Sequence, residues 1–207
     1  AHSGTDVCPR QENGRLEERE RSVPLDFALI VSNEDSVAAG VFTKNAVKAA
    51  PVLVNMNHLS MNPEKIRAVA INTISANAAT GELGIENSRR MAKIVAGQIS
   101  CEPEQVLVMS TGVIGTHLPM TKIEQGIKYA YQMLGNHWQE AALAITTTDQ
   151  FSKSASISVD TNSGKYTIAG ITKGAGMIAP NMATMLGVLV TDAKLSSQQS
   201  QKLLTLS

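Results

Sequence analysis

Short apolar runs and segments of helical period take turns along this chain, and that alternation restricts it to folds in which sheets and helices pack in layers. FALIVS (27–32), VAAGVFT (37–43), VLVNMN (52–57), RAVAIN (67–72) and QVLVMS (105–110) read as strands. Pro63 marks a turn before a short helix-like EKIR (64–67). Ile85, Met91, Ile94 and Val95 fall on one face of a helix over about 85–98, with Arg89, Arg90 and Lys93 outside it. PMTKIEQGIKYAYQML (119–134) reads as a second helix, with Pro119 in its first turn and Thr121 and Glu124 as a capping pair. AALAITTT (141–148) starts helical and finishes as strand. SISVDTNSGKYTIAGIT (156–172) is a hairpin, two alternating runs joined at Asn162-Ser163-Gly164. The class is therefore α/β or α+β.

Bulk properties narrow the function. Hydrophobic residues make up 43% of the 207, which suits a globular protein, and Lys plus Arg equals Asp plus Glu at 18 each. A formal net charge of zero supplies no long-range field toward nucleic acid or anionic lipid. Aromatic residues, at 3%, are too few for a base-stacking platform. No nucleic-acid or membrane partner is expected. Cys8 and Cys101 lie far apart, and His2, His58, His117 and His137 are isolated, so no metal-ligand spacing appears and no metal is expected. The default compartment is cytoplasmic, or mitochondrial for a fungal source. Residues 1–24 are polar and without period, which reads as a loosely held arm, and they contain no apolar signal-peptide core. No stretch of 18 apolar residues is present to span a bilayer.

Chemistry-bearing residues concentrate in clusters of small residues. MSTGVIGT (109–116) places Ser110, Thr111 and Gly112 directly after a strand, where glycine lets an amide turn into a cleft and a hydroxyl adds a second donor. From this segment alone a plain strand-to-loop turn is the commoner reading. INTISANAATGELG (71–84) offers Asn72 and Asn77 as ligand-binding amides, although capping of local backbone is the commoner use of such residues. KGAGM (173–177) lacks phosphate-loop spacing, and what it presents is Lys173, a cation beside a flexible turn that suits an anionic group or simply solvent.

Thr184 heads an apolar strand-like run within KGAGMIAPNMATMLGVLVTDA (173–193). No histidine accompanies these segments, so a hydroxyl here has no side-chain base. One remaining solution uses the nucleophile's own α-amine, whose pKa of about 7.7–8.0 leaves it partly neutral near pH 7. Thr184 acquires that amine only if the Ala183–Thr184 amide is cut, which its own hydroxyl can do by attacking the Ala183 carbonyl. Read alone, a Thr at a strand start is usually just a β-branched strand residue.

Taken together, STGVIG (110–115), TTD (147–149) and KGAGMIAPNMATML (173–186) resemble the ornithine acetyltransferase or glutamate N-acetyltransferase (ArgJ-like) family, as do ALIVS (28–32), AGVFTKNAVKAAPV (39–52), NAATGELG (77–84) and VTDA (190–193). The match runs from about Asp26 to about Leu195. It implies a layered α/β sandwich of sheets flanked by helices, the DmpA/ArgJ-like fold. It also implies self-cleavage between Ala183 and Thr184, and acetyl transfer from N2-acetylornithine to glutamate through an acetyl-Thr184. Thr111 and Gly112 would form the oxyanion hole. Lys173 and Thr147 or Thr148, with Thr147 preferred, would join Thr184 in binding substrate. No cofactor is implied, though acetyl-CoA is a possible acetyl donor.

By the same resemblance, residues 26–183 correspond to an α-chain segment and 184–207 to the start of a β-chain, after a divergent arm at 1–25. The family is about twice this length. The absent C-terminal half is therefore an expected partner, in an α2β2 or higher assembly, and the chain without it should expose strand edges and apolar surface. Ile74 stands where the family carries glycine, which questions the local backbone geometry. The alternatives are a self-cleaving amidase or aminopeptidase, with water as acceptor, and a truncated, inactive binding domain.

Overall fold

A computed structural model describes residues 5–11, 25–162, 164–176 and 184–207. A four-stranded sheet has the order β1 (Thr5–Gln11), β2 (Leu25–Ser36), β3 (Ile66–Asn72), β4 (Val106–Ser110). Its first two pairs are antiparallel and β3–β4 is parallel. A parallel pair needs a crossover, supplied here by helix α2 (Gly81–Ile99). The second sheet is antiparallel and three-stranded: β5 (Lys153–Thr161), β6 (Gly164–Lys173), β7 (Leu186–Thr191).

Apolar residues on both faces of β2 and β3 explain the layering. Phe27, Leu29, Val31, Ala68 and Ala70, with Val106 and Val108 of β4, pack against Met91, Ala92, Val95 and Ala96 of α2 and Ile123, Ile127 and Ala130 of α3 (Met120–Gln132). Ala28, Ile30 and Ile71 face the other way, onto Ala141, Ala142, Ala144 and Ile145 at α4 (Trp138–Ala144) and Ile171 of β6. Successive strand residues point to opposite faces, so one strand feeds both cores. The result is the expected layered sandwich: helices, a sheet, then α4 with the second sheet.

Several expectations need correction. VLVNMN is not a strand but part of helix α1 (Ala50–Met61), with Pro51 in its first turn and Ala50, Pro51, Val54, Asn55 and His58 buried on one stripe. VAAGVFT forms no regular element. EKIR is a turn that runs straight into β3. AALAITTT (141–148) does not finish as a strand; α4 ends at Ala144 and bends follow. Thr121 and Glu124 form no cap, since Pro119 holds the cap position and Glu124 pairs with Arg90 instead. Part of the expected loose arm, Thr5–Gln11, is strand β1, added antiparallel to β2 because an open sheet edge accepts any extended chain by backbone bonding alone. The helix expected from about 85 begins earlier, at Gly81, and α5 (Ser197–Leu206) follows β7 behind a capping box of Ser196 and Gln199.

The far edge of the first sheet is closed by side chains. Asn55 Nδ2 donates to the Val108 carbonyl and its Oδ1 accepts from the Val108 amide, both at 2.8 Å. His58 Nδ1 donates to the Val106 carbonyl at 2.8 Å. These bonds satisfy edge groups of β4 that α1 hides from water.

Candidate active site

The parallel strands β3 and β4 end side by side at Asn72 and Ser110, and their exits are laced together. The Thr111 amide donates to the Asn72 carbonyl at 3.0 Å and Ser110 Oγ to Asn72 Oδ1 at 2.6 Å. The Val113 amide donates to the Ile74 carbonyl at 2.8 Å, the Ala76 amide to Val113 and the Gly115 amide to Ala78. Carboxyl ends of parallel strands are where open α/β sheets place ligands. Gly112 has φ of +131°, and a Cβ there would lie 2.2 Å from the backbone carbonyl of Ile74. Only glycine fits this crossing. The Gly112 amide donates to no group among the described residues.

The second sheet delivers Lys173 to this point. It is the last residue of β6, 5% exposed, and its Nζ donates to Thr111 Oγ1 at 2.8 Å and reaches the Thr184 carbonyl at 3.5 Å. Because Thr111 Oγ1 accepts from the ammonium, its own proton stays available to a ligand. Burial pulls the Lys173 pKa below the ordinary lysine value, opposed by the charge of Asp149 and reinforced by that of Lys153.

Thr184 enters β7 with φ of +67°, a left-handed conformation that is rare for a β-branched residue. Its cleavage partner Ala183 lies outside the described residues. Thr147 and Thr148 are both exposed in the turn after α4, and Thr148 Oγ1 lies 4.0 Å from the position a Cβ on Gly176 would take. Three expected site residues, Thr111, Lys173 and Thr184, thus converge directly. Gly112 adjoins them, while Thr147 and Thr148 flank the same loop.

The two asparagines serve the backbone. Asn72 Nδ2 donates to the Thr73 and Ser75 carbonyls. Asn77 donates to the Gly84 carbonyl and Ser88 Oγ and accepts from Thr80 Oγ1. Asp149 was missed by sequence reasoning, although it closes the TTD motif. Burial alone would raise its pKa, but hydrogen bonds from Lys153 Nζ (2.5 Å), the Gly174 amide (2.9 Å) and the Thr147 amide (3.4 Å) outweigh that and hold it below the usual carboxylate value.

Fold and site together define a layered α/β protein with a buried lysine between the Thr111 hydroxyl and the Thr184 backbone where its two sheets meet. The sequence matches the ArgJ family model over residues 14–207, and the chain belongs to that family. It is 48% identical to the arginine biosynthesis bifunctional protein ArgJ of Thermotoga neapolitana over 88% of its length, and 45% identical to the mitochondrial ArgJ of Meyerozyma guilliermondii over 83%. It spans about half the length of the curated relatives it matches, 46% and 40% for these two. The crystal structure of ArgJ from Bacillus halodurans superposes with a TM-score of 0.73 at 30% identity, covering 87% of this chain and 95% of that one. Ornithine acetyltransferase of Mycobacterium tuberculosis, crystallised with ornithine, gives 0.69 at 38% identity, covering 77% and 85%. Among the described residues no helix is long and apolar enough to cross a membrane, and no group of three or more His, Cys, Asp or Glu is placed to hold a metal.

Proposed function

We propose that this chain carries the cleavage junction and half the active site of an acetyltransferase that moves the acetyl group of N2-acetylornithine to glutamate. The observation that carries this reading is the convergence of the Lys173 ammonium, the Thr111 hydroxyl and the backbone of Thr184 at one point.

The chemistry proceeds in two stages. In the first, Thr184 Oγ attacks the Ala183 carbonyl carbon, the amide C–N bond breaks, and the nitrogen takes up a proton. Water then hydrolyses the resulting ester, leaving Ala183 with a carboxylate and Thr184 with a free hydroxyl and α-amine. The left-handed φ of Thr184 costs about 1–2 kcal/mol in an L-residue, and cutting the Ala183–Thr184 amide removes that torsion altogether. Strain therefore favours the cut.

In the second stage the new amine takes the proton from Oγ as it attacks the acetyl carbonyl. Ornithine leaves as the amine, and glutamate's amine then attacks the acetyl ester, which restores Oγ–H. Each tetrahedral oxyanion meets the Gly112 amide and the Thr111 hydroxyl. Lys173 fixes that hydroxyl as a donor and is the cation for an anionic group of the substrate. Losing one such donor costs about 10²–10³ in rate.

The test uses the full-length protein. Two bands on a denaturing gel, split after residue 183, should merge into one in Thr184→Ala, with loss of transfer from acetylornithine to glutamate. Transfer surviving in Thr184→Ala would require another nucleophile and reject the reading.

A further inference from the structure

Asp149 is the buried acid for which the reaction above has no use. Its side chain is 0% exposed, yet it gathers donors from three segments. Oδ1 accepts from Lys153 Nζ at the start of β5 and from the amide of Gly174 just past β6. Oδ2 accepts from the Thr147 amide in its own turn. Gly174 has φ of +154°, so the chain leaves β6 through a corner that a side chain would strain. The carboxylate is the tie between that corner and the 147–149 turn.

We propose that Asp149 is a positioning residue: by accepting from the amides of Gly174 and Thr147 it fixes the corner at Lys173 and aims the ammonium at Thr111 Oγ1 and the Thr184 carbonyl. This rests on the reading of Thr111, Lys173 and Thr184 as the acetyl-transfer site. The residue type follows from the donor set. Three N–H groups converge, and a carboxylate offers acceptors on both oxygens, whereas an asparagine at the same place must turn its NH2 toward one of those donors. Lys153 belongs to the same device, because a carboxylate buried without a counter-charge is costly.

Lys173 feels both charges. Asp149 helps it keep its proton and Lys153 works against that; these are the charged groups that reach it. The two substitutions therefore have opposite signs at Lys173.

In the full-length protein, Asp149→Asn should raise KM for the amino-acid acceptor by about 10- to 100-fold, the scale of a slight misplacement of a binding group. Lys173, followed by NMR of its side-chain carbon next to Nζ, should titrate at lower pH in Asp149→Asn and at higher pH in Lys153→Met. An Asp149→Asn protein that keeps the parental KM and the parental Lys173 titration, whatever its melting temperature, overturns the proposal. If that variant does not fold, an unmoved Lys173 in Lys153→Met overturns it instead. Lys173→Met tests the site itself: parental turnover there rejects the acetyl-transfer role of Lys173, while the effect of Asp149 on the Lys173 titration is read independently of turnover.

Discussion

Ile74 holds a β-branched side chain at φ of +80°, in the region that favours glycine, and its carbonyl is the group against which Gly112 packs. The two residues make one crossing and respond to substitution in opposite ways. Ile74→Gly removes a left-handed strain of about 1–2 kcal/mol, partly offset by about 0.5–1 kcal/mol of extra unfolded-state entropy. A small rise in stability by denaturant titration is expected, with self-cleavage intact; a drop would show that the Ile74 side chain stabilises more than its backbone strains. Gly112→Ala drives a methyl into the Ile74 carbonyl, so it should separate the two loop exits, lower the melting temperature and slow acylation together. Residue types alone left this site open: a plain turn accounts for Ser110, Thr111 and Gly112, and a strand residue for Thr184. The resemblance of the segments taken together joined Thr111, Gly112, Lys173 and Thr184 and marked Ile74 as a bulky residue in place of glycine. Asp149 was not legible, because an acid two residues from a turn is usually solvated, and its burial depends on Gly174 and Lys153 arriving from other elements.

At the level of elements, the failures share a cause. VLVNMN has the composition of a strand, and a short apolar run cannot be assigned by periodicity alone. Asn55 within it and His58 just beyond it decided the outcome: they lie three apart, on one helical face, where they bond the edge of β4. β1 was hidden for the opposite reason, since an edge strand joined by backbone bonds needs no apolar pattern. The strands buried on both faces and the amphipathic helices α2 and α3 were plain, because their burial follows local period. The Asn55 clamp gives a prediction of its own. Asn55→Ala leaves the Val108 amide and carbonyl unpaired beneath α1, at about 1–3 kcal/mol each. The protein should lose roughly 2–6 kcal/mol of stability with its denaturant m-value unchanged, and a loss below about 0.5 kcal/mol would mean that water reaches the edge of β4.

Across the whole molecule, the two sheets are covered unequally. In the first, β2 and β3 pack apolar residues on both faces. The second has its inner face, with Ile171, on the core, but Ile157, Val159, Ile168 and Leu189 all point outward and are exposed, Ile157 at 61% and Leu189 at 63%. The register puts Ile157 opposite Ile168 and Leu189 opposite Gly170, so these four form one continuous apolar surface. Both outer strands, β5 and β7, are also edges of their sheet. Contiguous apolar surface beside unpaired strand edges drives association. The curated relatives carry about as many residues again as this chain matches, and the prediction is that such residues cover this face. Residues 1–207 expressed alone should therefore self-associate in light scattering, and Ile157→Lys with Leu189→Lys should return them toward monomer. In the full-length protein the same pair of lysines would sit beneath a packed partner and should lower the melting temperature. A monodisperse monomer of residues 1–207, or full-length protein indifferent to both lysines, would show that nothing covers this face.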